Sequence, residues 1–559
     1  MRDFQSKRVL FSQQIINFQN HQGHILKICA FGRSGFAAAS QLGYASDALS
    51  CVSGAPSAMS NHFYDQTFGR HAESDRIFLY TEDGDISFNA FAALTAQLAN
   101  ALVAAGLSPS DRVAVQAEKS TTLLALSAAT MRAGGVYLPL NTGYTPVELD
   151  YFISDARPAI VVVDPAATGD ILPIADRAGA TLFTLDANGR GSLADVASPA
   201  STIFETVVRG PDDLAAILYT SGTTGKSKGA RLTHHNLVSN AAVLADTWRF
   251  TDADILLHML PIYHTHGLFV ACNLMAMVGG SMIFLPKFSV ETALRWMPRA
   301  TSMMGVPTFY TRLLASDDFT GQASRHMRLF ISGSAPLLAE THHQFAARTG
   351  QAILERYGMT ETNMITSNPY DGDRRAGTVG LPLAGIDLRI ADAETGKVCA
   401  DGEIGIIELR GDNVFQGYWE MPEKTAESFR EDGFFITGDM AVRDADGYIS
   451  IVGRDKDMII SGGLNVYPRE VENLVDDING VIESAVIGVP HPDFGEAVVA
   501  IVVAGDDTVS PADITAAIDG KLAKFKQPKA VRIVPSLPRN SMGKVQKAAL
   551  RQTYAALFV

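Results

Sequence analysis

The chain has 559 residues, 47% hydrophobic and 19% charged, with a formal net charge of −14. That length holds two or more domains around a large core. The acidic balance disfavours nucleic acid, a polyanion that needs a basic surface. It leaves room for anionic nucleotides, which backbone N–H groups and a few cations can bind locally.

In chain order, residues 1–58 stand apart, with five Lys/Arg, two acidic residues and no sustained periodicity. A basic, Ser-containing stretch suits a targeting segment, and a translation start at Met59 explains it as well. Either way it is read as an extension outside the core. From residue 59 short β-branched runs alternate with helical stretches: Arg112–Ala117, Ala159–Val163, Leu214–Tyr219, Ile255–Leu260, Ser281–Leu285 and Arg328–Ile331. Such alternation predicts an α/β fold with parallel or mixed sheets covered by helices. Gly267–Pro286 is uncharged, but Gly279-Gly280 interrupts it. It therefore predicts a buried helix to about Val278 and a strand after it, not a membrane span. After Gly453-Arg454-Asp455-Lys456-Asp457 the pattern changes to a Gly-rich turn, a helix near Pro468–Asp476 and a strand at Ser484–Val489. About 100 residues suffice for a separate small α+β domain. The expected division is 1–58, 59–455 and 456–559. The four cysteines (Cys29, Cys51, Cys272, Cys399) are far apart and show no zinc spacing.

The sharpest motif is Tyr219-Thr220-Ser221-Gly222-Thr223-Thr224-Gly225-Lys226-Ser227-Lys228-Gly229. It follows a predicted strand and precedes a helix expected near His234. Its glycines let N–H groups converge, and its hydroxyls and lysines add donors and positive charge. That combination suits a polyphosphate. It is not a Walker A loop, because Thr220 stands where the first glycine should be.

The stretch resembles the phosphate loop of the adenylate-forming superfamily, which includes acyl-CoA synthetases, firefly luciferases and adenylation domains. Further motifs occur in the expected order over residues 59–559. The resemblance implies that Tyr357, in Tyr357-Gly358-Met359-Thr360-Glu361, stacks on adenine. Thr360 would contact the α-phosphate and Glu361 would hold Mg²⁺, a hard cation suited to carboxylate oxygen. Asp439, in Thr437-Gly438-Asp439, and Arg454 would contact ribose. Lys456 matches the hinge about which the small, mobile domain turns, and Ser461-Gly462-Gly463 matches the border of the CoA tunnel. Lys544 matches the catalytic lysine, a cation between two approaching anions. Losing such a donor costs about 3–4 kcal/mol, or about 10²–10³ in rate. Lys547 reads as a solvated helix charge. Enzymes of this type can be silenced by acylation of the motif lysine, which makes a lysine acetyltransferase acting on Lys544 an expected partner.

A dicarboxylic acid needs a cation for its non-reacting end, best an arginine fork. Pro261–Gly267, Gly305–Arg312, Ser332–Pro336 and Arg356 supply the candidates. Together these segments resemble malonyl-CoA synthetases. On that resemblance Arg312 clamps the distal carboxylate, and His266, Ser334 and Arg356 complete a polar pocket. A monocarboxylate would leave a buried arginine unpaired at roughly 3–5 kcal/mol, about 10²–10⁴-fold in rate. Methylmalonate, one methyl larger, is the expected secondary substrate. His264 and His266 could face one metal, but no third ligand has matching spacing.

The resemblance thus implies ligation of malonate to CoA with ATP and Mg²⁺, in the cytoplasm or alternatively the mitochondrial matrix, with no nucleic acid and no membrane insertion. The alternatives are another short carboxylic acid, or loading of a separate carrier protein. A luciferase-like oxygenase fits the basic acid pocket poorly. A bare nucleotide-binding module does not explain the full set of Glu361, Asp439, Arg454 and Lys544.

Overall fold

The computed structural model describes residues 15–19, 25–29, 61–220, 227–462, 464–505, 509–540 and 543–558. The chain divides into residues 1–57 and 58–559. In the first unit Ile15–Gln19 pairs antiparallel with Ile25–Cys29.

The second unit is built on four sheets. In the first, six strands run in the spatial order Lys228–Thr233, Leu214–Thr220, Val136–Pro139, Arg112–Gln116, Ile160–Val163 and Thr181–Thr184. All neighbours are parallel except the first pair, an antiparallel hairpin. Ile160–Val163 is buried at every position, as its unbroken Ile-Val-Val-Val run requires of a strand covered on both faces.

The second sheet has nine strands. Its centre is parallel: Leu354–Met359, Leu329–Ser332, Ser302–Gly305, Ile255–His258, Ser281–Phe284 and Ile77–Thr81 lie side by side. Antiparallel strands Asn363–Ser367 and Leu381–Pro382 extend one edge, and Gly84–Ser87 the other. Three segments singled out in the sequence leave the carboxyl ends of adjacent strands in this sheet: Pro261–Gly267, Pro307–Arg312 and Gly333–Pro336. In open α/β sheets that edge is where ligands bind.

The third sheet, wholly antiparallel, comprises Asp387–Ala391, Ile404–Arg410, Phe435–Arg443 and Ile449–Arg454. The last draws only on residues 459–533 and packs its helices Pro468–Asp476 and Pro511–Ile518 over a core that includes Val471, Val486, Val498 and Ile514.

Two local features depart from the sequence reading. A strand, Lys228–Thr233, intervenes between the phosphate loop and its helix, which begins at His234 as expected. A capping box fixes that start: Thr233 Oγ1 accepts from Asn236 N at 3.0 Å and Asn236 Oδ1 from Thr233 N at 2.9 Å. Such caps stabilise by about 1 kcal/mol. The uncharged segment opens with a π-helical turn, His266–Cys272, before the helix Asn273–Val278 and the strand Ser281–Phe284. Among the described residues no helix is long and apolar enough to cross a membrane.

Candidate active site

The phosphate loop closes the hairpin of the first sheet, where Thr220 and Lys228 are paired. Ser221, Gly222, Thr223, Thr224, Gly225 and Lys226 lie outside the described residues. The loop's two ends converge on Glu361. Thr220 Oγ1 is 3.4 Å from Glu361 Oε1, and Tyr418 donates its hydroxyl to the same oxygen at 3.1 Å. Lys228 Nζ stands 4.7 Å from the Tyr418 ring centroid. Burial raises the Glu361 carboxyl, partly countered by hydrogen bonds that favour its anion. Thr360 occupies the tight turn between Leu354–Met359 and Asn363–Ser367, beside Glu361. Among the described residues no three His, Cys, Asp or Glu side chains cluster to cage a metal. A single buried carboxylate at a phosphate loop suits Mg²⁺ carried mainly by the nucleotide's own oxygens.

A second group forms around Asp439. Tyr357 donates its hydroxyl to Asp439 Oδ2, and Arg454 Nε meets Oδ1 at 2.9 Å. The pairing Asp439↔Arg454 across two antiparallel strands sets this contact. Lys456 follows in the short turn Asp455–Asp457, where it is exposed.

The third group is the basic, polar cluster. His266 Nδ1 lies 3.1 Å from Ser334 Oγ. Ser334 holds φ at +71°, a costly conformation for a residue with a side chain. Arg356 is 3% exposed, and its Nε and Nη2 have no hydrogen-bond partner among the described residues. Burial pulls its guanidinium down to about 9, still charged at neutral pH. Its fork lies against Gly333, where an added Cβ would come within 2.4 Å of Cζ. Burial, then the charges of Lys544 and Arg356, drive the His264 imidazole down to about 3, so it is neutral. Arg312 is not drawn into this cluster by any hydrogen bond or ion pair among the described residues. It lies exposed on the helix Pro307–Leu314, one turn beyond Thr308 on the same face. A Cβ added to Gly543, beside Lys544, would lie 4.0 Å from Thr308 Oγ1.

Lys544 joins the second and third groups. Asn540 shapes its hairpin: Asn540 N donates to Lys544 O, and Lys544 N to Asn540 Oδ1, each at 2.9 Å. The side chain keeps solvent contact, yet burial in the cleft and then the Arg454 charge pull its ammonium down to about 8. Asp439, Arg356 and Glu361 are also close enough to act on it. Lys547 corrects the expectation of a solvated charge: it pairs with the buried Glu472 at 2.5 Å. Ser461 is buried at the end of the strand Ile459–Ser461. Gly462, at φ +60°, donates its N–H to Phe494 O, and Gly463 lies outside the described residues. No hydrogen bond or ion pair among the described residues joins this turn to the three groups.

Sequence reasoning missed Tyr418. In Phe415-Gln416-Gly417-Tyr418-Trp419 it reads as one aromatic among several, and only the third dimension brings its hydroxyl to Glu361.

Comparison with known proteins agrees with this geometry. Residues 66–419 match the AMP-binding enzyme family, and residues 470–544 match the AMP-binding enzyme C-terminal domain. Malonate–CoA ligase of Arabidopsis thaliana is 36% identical over 476 residues, 79% of this chain and 78% of the relative. Sulfoacetate–CoA ligase of Cupriavidus necator is 36% identical over 489 residues, 85% of this chain and 94% of that protein. The crystal structure of ATP-bound MatB from Rhodopseudomonas palustris superposes with a TM-score of 0.88 at 57% identity, covering 90% of this chain and all of that one. The chain belongs to the AMP-binding enzyme family, and these relatives place it with the CoA ligases of that family.

Proposed function

We propose that this enzyme joins malonate to coenzyme A using ATP, through a malonyl-AMP intermediate, with methylmalonate as a secondary substrate. The observation that carries the reading is the position of Lys544. It stands within electrostatic reach of the Asp439–Arg454 pair on one side and of Arg356 on the other. A cation there spans the site of the ATP α-phosphate and that of the acid.

In the first half-reaction a malonate carboxylate oxygen attacks the α-phosphorus and pyrophosphate leaves. Tyr357, Asp439 and Arg454 hold the nucleoside, and the loop Thr220–Lys228 holds the phosphates. Thr360 takes the α-phosphate side, and Lys544 orients the two anions and offsets their repulsion. Mg²⁺, held through Glu361, would neutralise phosphate charge. In the second half-reaction residues 456–559 turn about Lys456 as a small mobile domain, and Ser461-Gly462-Gly463 borders the CoA arm. The thiol sulfur attacks the acyl carbon, its proton is lost, and AMP departs.

For the acid, Arg356 supports the malonate assignment. Two buried donors of its guanidinium meet no acceptor among the described residues, which suits a second carboxylate. Arg312 is the outer clamp, and His266 and Ser334 complete the wall. The relatives' own acids, malonate and sulfoacetate, each carry a second anionic group. The rival readings are another short acid or a separate carrier protein as acceptor. Pyrophosphate release with acetate, malonate, methylmalonate and sulfoacetate, each with and without CoA, tests them together. Equal rates on malonate and acetate would falsify the dicarboxylate assignment.

The proposed location is the cytoplasm, with the mitochondrial matrix the alternative, and fractionation of the native enzyme decides. Acetylation of Lys544 by an acetyltransferase is proposed as an off-switch, since it removes the charge that adenylation uses. Full adenylation activity in stoichiometrically acetylated enzyme would contradict it.

A further inference from the structure

Lys119 is a buried amine, 6% exposed, with no carboxylate within ion-pair distance among the described residues, and burial pulls its ammonium down to about 7. Burying an unpaired ammonium is costly, so its surroundings call for an explanation. It follows the strand Arg112–Gln116 and reaches into the second sheet. Its Nζ donates to His258 O at 3.0 Å and to His258 Nδ1 at 2.7 Å, and lies 4.2 Å from the Phe284 ring centroid. His258 Nε2 is 2.8 Å from the carbonyl oxygen of Gly267, which can only accept. The His258 proton therefore sits on Nε2, and Nδ1 accepts from Lys119. Cys272 Sγ stands 3.4 Å from the same nitrogen.

The acceptor's position gives the contact its meaning. Gly267 directly follows His266 in the π-helical turn, a rare geometry that recurs at functional sites. The chain folds back tightly there: a Cβ on Gly267 would fall 2.0 Å from Pro261 O. The imidazole of His266 is held by Ser334, and its buried Nε2 has no hydrogen-bond partner among the described residues. His258 thus grips the backbone one residue from a wall of the acid pocket. No hydrogen bond among the described residues runs from Lys119 or His258 to the Asp439 or Glu361 groups. Burial, followed by the charge of Lys119, holds His258 far below its ordinary range and keeps it neutral.

We propose that Lys119 and His258 are positioning residues for the acid-binding half of the site: Lys119 holds the His258 ring through Nδ1, and His258, donating from Nε2 to the Gly267 carbonyl, sets the turn that carries His266. Without the Lys119 donor, Nδ1 loses its partner and the ring is held from one side only. The Nε2–H donation to the Gly267 oxygen would then weaken. This inference rests on the acid-pocket reading above.

The test is Lys119→Met, which keeps the volume and removes the donor. Replacing an unpaired buried charge by an apolar group of similar size should not unfold the protein. We expect KM for malonate to rise tenfold or more and KM for ATP to stay within twofold. In ¹⁵N-histidine spectra the His258 Nδ1 resonance should shift as it loses its hydrogen bond, while Nε2 stays protonated. His258→Gln should keep KM for malonate near wild type, because its amide can accept from Lys119 and donate to Gly267, whereas His258→Phe should not. An unchanged KM for malonate in Lys119→Met, or an equal rise for malonate and ATP, overturns the proposal. So does a wild-type His258 found as Nδ1–H, a readout that stands even if a variant misfolds. Arg356→Met separates the two readings. If it leaves KM for malonate unchanged, the acid pocket itself is misassigned. If it raises KM while Lys119→Met does not, only the positioning role fails.

Discussion

At the scale of single residues, charge placement decides the chemistry. Lys544→Ala should cut adenylation by about 10²–10³, the loss expected for one transition-state donor. It should leave conversion of supplied malonyl-AMP and CoA largely intact, which single-turnover assays of the two half-reactions would show. On the proposed mechanism the charged form of Lys544 acts, and burial in the cleft pulls its ammonium down to about 8. In the free enzyme kcat/KM for adenylation should therefore fall as pH rises through about 8, and the thiol-transfer step should lack that limb. Arg356→Met should raise KM for malonate by about 10²-fold or more and leave acetate turnover nearly unchanged, collapsing the preference between them. Arg312→Met should act in the same direction but more weakly, because Arg312 is exposed and a solvated charge contributes less than a buried one. Steady-state kinetics on both acids check each arginine.

At the scale of elements, the hairpin carrying Lys544 is braced from two sides. Arg539 pairs with Glu483 on the strand Val481–His491, and Lys547 pairs with Glu472 on the helix Pro468–Asp476. Glu472 also accepts from Val486 N at 2.9 Å, which holds the carboxylate that Lys547 meets. Lys547→Met should weaken adenylation roughly tenfold while sparing thiol transfer; equal loss in both steps would mark a general folding defect instead. The sequence made the regular elements readable. Buried runs such as Ile160–Val163 and the helix Pro468–Asp476 follow from apolar spacing alone. The strand Lys228–Thr233 was not legible, because its Lys-Gly-Ala-Arg start lacks a β-branched run and its pairing with Leu214–Thr220 closes only in three dimensions. The π-helical turn was not legible either, since its apolar residues fit any buried helix. In the candidate site, ordered motifs brought Tyr357, Glu361, Asp439, Arg454 and Lys544 into view. The partners Tyr418, Lys119 and His258 carry no local pattern, and their roles arise from contacts across long stretches of chain.

At the scale of the whole molecule, the second unit joins two sheets whose strand ends and loops surround one cleft, and a later sheet that delivers Lys544 to it. The arrangement has the lysine engaged with the nucleotide and acid groups, as the adenylation step requires, while the Ser461–Gly462 turn contacts Phe494 instead. On the proposed mechanism, residues 456–559 turn about Lys456 for transfer to CoA. A cross-link between cysteines placed at Thr308 and Gly543, where a Cβ on Gly543 would lie 4.0 Å from Thr308 Oγ1, should preserve pyrophosphate release and abolish malonyl-CoA formation until the bond is reduced. The most direct test of the central claim is pyrophosphate release with malonate against acetate, each measured with and without CoA. The account predicts turnover on malonate at least about 10²-fold above acetate, with malonyl-CoA accumulating only when CoA is present. Equal turnover on the two acids, or release of the acyl group to an acceptor other than CoA, would contradict it.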